Sequence, residues 1–434
     1  MRNTPFWWIL IGFMVLLDIY FFQAIKLVSH NAAPRTKTII YIAYWVISVG
    51  AIVILLLLPY LQFQHQARFT RTTLFAIILG LFFAKLIASV FFLIDDIRRG
   101  AQWIAGKFFY SSKEGEALQG GEQISRSVFM SWIGLVAGGG LFGSLIYGFS
   151  NKYRYQVKRI PLSFANLPGA FKGMKIVQLS DIHSGSFTDK KAVQHGIDMV
   201  MQQKPDLILF TGDLVNNTAD EMDDYKEVFS QLKAPLGVYS VLGNHDYGDY
   251  VEWSDRTVEH KLKEKETGTH ILTPLQLANL DRLKQVHADM GWRLLMDEHV
   301  EIEKNGEKIA LLGVQNWSAK ARFPRYGSLK KAYPANGSSY PFKILMSHDP
   351  SHWEAEVLTQ YKDIDIMLAG HTHGFQFGVE IPGFKWSPVQ YVYKQWAGLY
   401  EKDAQKLYVN RGFGFIGYPG RVGILPEITV LELS

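Results

Sequence analysis

The stretch KIVQLSDIHSG, Lys175–Gly185, sets the pattern for most of the chain: an apolar, strand-like run stops in a polar block that carries Asp181 and His183. The same figure returns four times in order, as DLILFTGDLVN (Asp206–Asn216), GVYSVLGNHDY (Gly237–Tyr247), FKILMSHDP (Phe342–Pro350) and IDIMLAGHTHG (Ile364–Gly374). Short apolar runs bounded by Gly, Asp and Asn read as buried strands. Loops leaving one edge of a sheet converge in space although far apart in sequence, and loops on a rigid scaffold are where catalytic groups sit. The five blocks therefore bring Asp181, His183, Asp213, Asn244, His348, His371 and His373 toward one place.

These are oxygen and nitrogen donors that suit hard to borderline divalent cations. They are too many for one ion and fit two ions that share a carboxylate. Asp213 is the expected bridge, since a carboxylate can offer one oxygen to each ion. Asp181 and His183, one residue apart, face a single ion if the strand continues through them. Two cations about 3.5–4 Å apart hold a hydroxide between them and neutralise charge on phosphoryl oxygens. Water bound there loses a proton near neutral pH. With Asn244 as a ligand, His245 stands just outside the ions, placed to protonate a leaving alkoxide. The glycines of these blocks are consistent with sharp turns. A lone histidine is far more often an ordinary polar residue than a ligand, and His195, His260, His270, His287, His299 and His352 are read that way.

The chain has 434 residues and no cysteine, which excludes disulfides, thiolate ligands and a cysteine nucleophile. A net charge of +5 without a dense Lys/Arg tract gives no ground for a nucleic-acid polymer as partner, and no protein partner is signalled. Four segments, Phe6–Val28, Thr38–Leu61, Thr72–Phe92 and Ser127–Phe149, are long and apolar enough to span a bilayer. Residues 1–150 thus read as a transmembrane domain and residues 151–434 as a soluble α/β domain. The first segment is too long for a signal peptide and lacks a cleavage site. Arg and Lys divide evenly across a four-span arrangement, so loop charge sets no orientation. An even number of spans puts both ends on one face, taken as cytoplasmic. Asp18 and Lys85 fall inside spans and are expected to pair, while Gly138, Gly139, Gly140, Gly143 and Gly148 read as close helix packing. In the soluble part, Tyr155–Leu162 reads as an edge strand. Helices are expected at Lys190–Gln203, Glu221–Leu232 and Thr273–Met290, the last inside a helical insertion over Tyr250–Gly291.

The five blocks resemble the calcineurin-like metallophosphoesterase superfamily, whose pattern is D-x-H, G-D-x-x-D, G-N-H-[DE], a lone H and G-H-x-H. The run Gly237–Asp246, SHDP, GHTHG and the stretch Tyr408–Ile428 are similar to its membrane-associated bacterial YaeI/YkuE-like phosphodiesterase branch. The resemblance implies a four-layer αββα sandwich preceded by an all-α bundle of four transmembrane helices. It implies one ion held by Asp181, His183, Asp213 and His373, a second held by Asp213, Asn244, His348 and His371, and His245 as general acid. Mn, Fe, Zn and Ni all accept such sites. It further implies a phosphodiesterase or pyrophosphatase in a bacterial inner membrane, acting on a lipid-linked or nucleotide phosphate. A relative of this kind hydrolyses the pyrophosphate of UDP-diacylglucosamine. The competing readings are a non-catalytic membrane sensor or scaffold for metal or nucleotide, and a transporter.

Two departures stand out. Asn216 replaces the family aspartate that supports the histidine of the third block, which should weaken His245 or leave it to Asp246. Phe375 follows GHTHG where the branch has glycine, and should narrow the mouth or give a lipid or base a surface to pack on. Arg421 and Arg411 are candidate phosphate contacts, since a guanidinium offers a forked donor.

Overall fold

The computed structural model describes residues 5–58, 65–109, 126–257, 260, 264, 270–335 and 340–434. The chain divides between Gly148 and Phe149 into two compact units.

The first unit holds four helices among the described residues: α1 (Pro5–Val28), α2 (Pro34–Leu57), α3 (His65–Phe109) and α4 (Arg126–Gly148). Each is long and apolar enough to cross a membrane. Large apolar side chains such as Ile9, Leu16, Ile42 and Val46 are exposed on them, the arrangement of a lipid-facing rather than a water-facing helix. The third helix runs well past the expected end at Phe92. Asp95 and Asp96 pair there with Arg98 and Arg99 at helical spacing and carry the helix beyond its apolar part. The expected end of the second span, Leu61, lies outside the described residues.

Helix α4 meets α3 through Gly134 and Gly138, where an added Cβ would strike the carbonyls of Ala88 and Ala84. Gly139, Gly140 and Gly143 face open space, so of the run Gly138–Gly143 only Gly138 is in this contact, with Gly134 beside it, while Gly148 is buried at the end of the helix. The expected charge pair is present. Lys85 Nζ donates to Asp18 Oδ1 at 2.5 Å and to Ser48 Oγ at 2.7 Å, and Tyr44 and Ser48 also donate to Asp18 Oδ1, at 3.1 Å each. Removing one partner leaves a buried charge alone, which costs about 3–5 kcal/mol. Lys85→Met should therefore lower the thermal midpoint in detergent sharply, and the double variant with Asp18→Asn should regain most of the loss. A single variant as stable as the parent would show that the pair does not hold α1 to α3.

The second unit is a sandwich of two six-stranded sheets. Its strands are β1 (Gln156–Leu162), β2 (Lys175–Leu179), β3 (Leu207–Phe210), β4 (Val238–Ser240), β5 (Arg293–Leu294), β6 (Glu298–Lys304), β7 (Glu307–Gly313), β8 (Lys343–Met346), β9 (Ile366–Ala369), β10 (Val379–Ile381), β11 (Phe384–Trp386), β12 (Gly398–Lys402), β13 (Gln405–Val409) and β14 (Glu427–Leu433). One sheet has the order β1-β14-β2-β3-β4-β5, the other β12-β13-β9-β8-β7-β6, and β10 and β11 form a separate hairpin.

Strand alternation explains the layers. Ile176, Leu207 and Leu209 of the first sheet meet Ile309, Leu311, Ile344, Met346 and Leu368 of the second in one core. Val177, Leu179, Ile208 and Phe210 point the other way, onto helices α5 (Lys190–Gln202) and α6 (Pro274–Asp289). Ala310, Leu312, Leu345 and Met367 face the short helical turns at Leu329–Ala332 and Trp353–Val357. The result is αββα.

Two expected elements differ. Over Glu221–Leu232 the chain forms two short turns, Ala219–Met222 and Lys226–Phe229. Glu221 accepts the backbone N–H groups of Asn216 and Asn217, which holds the first turn against the second block, while Met222, Tyr225, Val228 and Phe229 still reach the core. Nor is Tyr250–Gly291 a mere insertion. Its helix α6, capped by Thr273 and Gln276, buries Leu280, Leu283 and Val286 and leads into β5, so it is a crossover of the first sheet. Residues 258–259, 261–263 and 265–269 of that stretch lie outside the described residues.

Candidate metal centre

The five polar blocks leave the C-terminal ends of β2, β3 and β4 in one sheet and of β8 and β9 in the other. Three contacts stitch the sheets together beneath them. Gln178 Nε2 donates to Ala369 O at 2.9 Å, His348 Nδ1 lies 2.8 Å from Thr211 O, and His371 N donates to both oxygens of Asp181 at 3.0 Å.

The strands do not run on through the donors. Asp181, His183, Asp213, His371 and His373 all take left-handed backbone, with φ between 50° and 72°. Such residues cost of order 1–3 kcal/mol each and persist where the surroundings over-determine them, as at functional sites. Asp181 and His183 thus converge by turning, not by strand alternation. The flanking glycines act mainly through close approach. A Cβ on Gly243 would fall on Asp213 Oδ1, and one on Gly370 on Ser180 and Asp181; Gly212, at φ 101°, does need the turn.

Two groups of donors result. Asp181, His183 and His373 present their ligand atoms within 4.8 Å of one another, as do Asp213, His348 and His371. Asp213 Oδ2 stands between the groups, 3.5 Å from His183 Nε2 and 3.1 Å from His348 Nε2. His183 Nε2 faces His373 Nε2 at 3.0 Å, and His373 Nε2 lies 3.2 Å from Asp181 Oδ1. Asn244 Oδ1 is 2.8 Å from His371 Nδ1, because its Nδ2 is committed to Tyr250 OH at 2.7 Å.

Lone pairs that point at one another suit a shared cation, and the charges agree. Burial holds the imidazoles of His183, His371 and His373 below their ordinary range, so they are neutral donors. Burial opposes ionisation of Asp181 and Asp213, yet the neighbouring histidines hold both carboxylates well below the usual range. Burial also acts against charge on His348, but the carboxylates of Asp213 and Asp181 outweigh it and push it up to about 10. The gap between His348 Nε2 and Asp213 Oδ2 thus favours positive charge, which a bound cation would supply in place of a proton.

His245 lies at the edge of both groups. Its N–H donates to Asp213 Oδ1 at 2.8 Å, its ring meets His183 edge-on at 4.9 Å, and its Nδ1 is 2.7 Å from the backbone carbonyl of Asn216. The support expected from the Asn216 side chain is absent: that amide donates to Ser186 Oγ at 2.9 Å. Asp246 does not serve either, because it accepts the N–H groups of Asp213, Leu214, Val215 and Gly243.

A cavity of about 820 Å³ opens over the groups. Phe375 lines it and is 62% exposed. Arg421 and Arg411 do not line it, and neither fits the phosphate contact expected of it. Arg421 is 0% exposed, and its guanidinium donates to the carbonyls of Arg411, Gly412, Gly414 and His373. Arg411 is buried against Glu427 and Glu380. Arg421→Met should leave several buried carbonyls unpaired and cost about 3 kcal/mol or more. A rise in KM with no loss of stability would instead return Arg421 to the substrate.

Several residues carried no reading from the sequence. Tyr250 fixes the Asn244 amide. Tyr393 OH lies 2.9 Å from His371 Nε2 and donates to Asp349 Oδ2 at 3.1 Å, orienting that ring. Lys320 and Arg322 line the cavity as cations. Asp349 was within reach of a reader, since it follows His348 in SHDP; the tyrosines and the two cations are marked by nothing local. The histidines read as ordinary are bonded elsewhere, for example His287 to Ser240 and His352 to Ser347 and Glu356.

Residues 174–375 match the calcineurin-like phosphoesterase family, and residues 1–152 match the family described as a probable calcineurin-like phosphoesterase transmembrane domain. The chain belongs to the calcineurin-like phosphoesterases. It is similar to the zebrafish (Danio rerio) "Transmembrane protein with metallophosphoesterase domain", 28% identical over 67% of this chain and 60% of that one. The chain thus spans less than two thirds of that relative. It is 28% identical to "Uncharacterized metallophosphoesterase YkuE" of Bacillus subtilis, over 72% of this chain and 99% of the relative. It is also 28% identical to "UDP-2,3-diacylglucosamine pyrophosphatase LpxG" of Chlamydia muridarum, over 59% of this chain and 81% of that one. With its own membrane domain, this phosphoesterase is a membrane protein.

Proposed function

We propose that the chain is a membrane-anchored, dimetal-dependent phosphohydrolase that cleaves a phosphodiester or pyrophosphate in a lipid-linked or nucleotide substrate. The observation that carries this reading is Asp213 Oδ2, placed between two groups whose other nitrogen and oxygen donors are Asp181, His183 and His373 on one side and Asn244, His348 and His371 on the other. Asp181, His183, Asp213 and His373 would hold one ion, and Asp213, Asn244, His348 and His371 the other. When bound, two such cations activate water and neutralise phosphoryl charge.

The chain's own groups do the rest. Asp181 fixes the backbone of His371, the Thr211 carbonyl selects the His348 tautomer that points Nε2 inward, and Tyr250 turns the Asn244 oxygen toward the site. His245 holds its Nδ1 proton on the Asn216 carbonyl and so presents Nε2 for transfer of a proton to the leaving oxygen. Lys320 and Arg322 supply positive charge for a second anionic group of the substrate. A lipid-linked pyrophosphate is favoured by the membrane helices and by the activity for which the Chlamydia relative is named. A bacterial cell membrane, as for the Bacillus and Chlamydia relatives, is part of the proposal, and so is a cytoplasmic catalytic unit on the same face as the N-terminus, as four membrane-length helices would place it.

The test is hydrolysis of bis-p-nitrophenyl phosphate by the detergent-purified chain with added Mn²⁺. Metal-dependent turnover is the expected result. Bound metal without turnover on this or any pyrophosphate substrate would favour a sensing role instead.

A further inference from the structure

The hairpin β10–β11 is built inside out for a water-facing element. Its register pairs Val379 with Trp386 and Ile381 with Phe384, so these four side chains share one face, while Glu380 and Lys385 share the other. In water the charged face should be the outer one. Here it is anchored to the body of the unit, with Glu380 half-buried and Lys385 tied down although exposed. Glu380 accepts from Arg411 at 2.7 Å and from Lys158 at 3.2 Å, and Lys385 Nζ donates to Ala397 O at 2.6 Å. The apolar face is left outside, with Ile381 58% and Phe384 54% exposed, and the turn between them is Pro382–Gly383.

The patch continues to the mouth of the cavity. Phe375 and Val392 both line the cavity and are exposed, and Tyr391, 77% exposed, lies 3.4 Å by its hydroxyl from Trp386 Nε1. Aromatic side chains with a polar tip beside aliphatic ones are the composition of a membrane interface. A contiguous apolar surface of this kind marks an interaction site. The occupant follows from the rest of the chain, which carries four membrane-length helices and therefore works beside a bilayer.

We infer that the outer face of the β10–β11 hairpin, with Phe375 and Tyr391, docks on the surface of the bilayer and opens the cavity toward lipid. Glu380, Arg411 and Lys158 are positioning residues that fix the hairpin in this inverted pose. Arg411, which sequence patterning suggested for phosphate, thus acts on the hairpin instead. The inference refines the substrate side of the proposed function, but docking itself does not depend on catalysis.

The chain has no cysteine, so single reporters can be placed cleanly. Full-length protein would be reconstituted into phosphatidylethanolamine–phosphatidylglycerol vesicles with a nitroxide at Phe384→Cys, at Tyr391→Cys, or at Ala404→Cys in the exposed β12–β13 turn as a water-facing control. Labels at 384 and 391 should collide preferentially with oxygen and be shielded from a nickel chelate, whereas the label at 404 should show the reverse. Equal exposure of all three to the chelate overturns the inference. So does spin–spin broadening between copies, which would make the patch a face between two chains. As a second arm, Ile381→Asp with Phe384→Asp should slow cleavage of a vesicle-embedded lipid pyrophosphate about tenfold. The rate on soluble bis-p-nitrophenyl phosphate should stay the same. Unchanged cleavage of the embedded substrate counts against docking. Absence of turnover on bis-p-nitrophenyl phosphate in the parent chain would count against the phosphohydrolase reading alone, and the nitroxide measurements would still report on docking.

Discussion

Asp213→Asn should abolish turnover, by about 10³-fold or more, and lower the bound metal together with the rate. The substitution keeps the shape of the side chain and its acceptor for the His245 N–H, but removes the charge shared by the two donor groups. An amide can offer one oxygen to one ion and cannot neutralise two. Among the described residues no other side chain reaches both groups in this way. Asn244 touches only the group of His371, and Asp181 touches only that of His373 through its side chain while bracing His371 through the backbone. Metal content measured by mass spectrometry beside the rate separates the causes. Loss of both fits the shared-carboxylate site. A variant that keeps its full metal complement and most of its rate would show that the two groups act separately, and the dimetal reading would fall.

How much of this was open to a reader of the sequence depends on the kind of residue. Asp181, His183, Asp213, Asn244, His348, His371 and His373 could be picked out because few residue types bind cations and each stood behind an apolar run; the structure brings all seven together. Their means of convergence was not legible, since left-handed backbone at five of them is imposed by contacts between the sheets rather than by local propensity. Arg421 misled because a guanidinium in a glycine-rich loop looks the same whether it meets phosphate or buried carbonyls. The break near Glu221 was hidden because apolar spacing reports burial, which two short turns satisfy as well as one helix. In the hairpin, alternation was readable but its sense was not. Which face turns inward is decided by Arg411 and Lys158, remote in sequence from Glu380.

His245→Ala should slow hydrolysis of an alkyl phosphodiester by about 10²–10⁴-fold while sparing a p-nitrophenyl ester. The contrast arises because a nitrophenolate leaves without needing a proton and an alkoxide does not. The geometry makes His245 the source of that proton. Its Nδ1 is tied to the Asn216 carbonyl and its backbone to Asp213 Oδ1, which fixes the ring against His183 and leaves only Nε2 free to face a substrate in the cavity. The carbonyl, rather than a carboxylate, also determines what Asn216→Asp will do. The side chain at 216 points to Ser186, so restoring the family aspartate there should change the alkyl-ester rate far less than removing the ring does. Both variants measured on a series of leaving groups give the slope of rate against leaving-group pKa. A steep slope for His245→Ala, with the parent and Asn216→Asp both shallow, is the expected pattern. Equal slopes in all three would mean that the proton reaches the leaving group from solvent, and that His245 serves only to position Asp213.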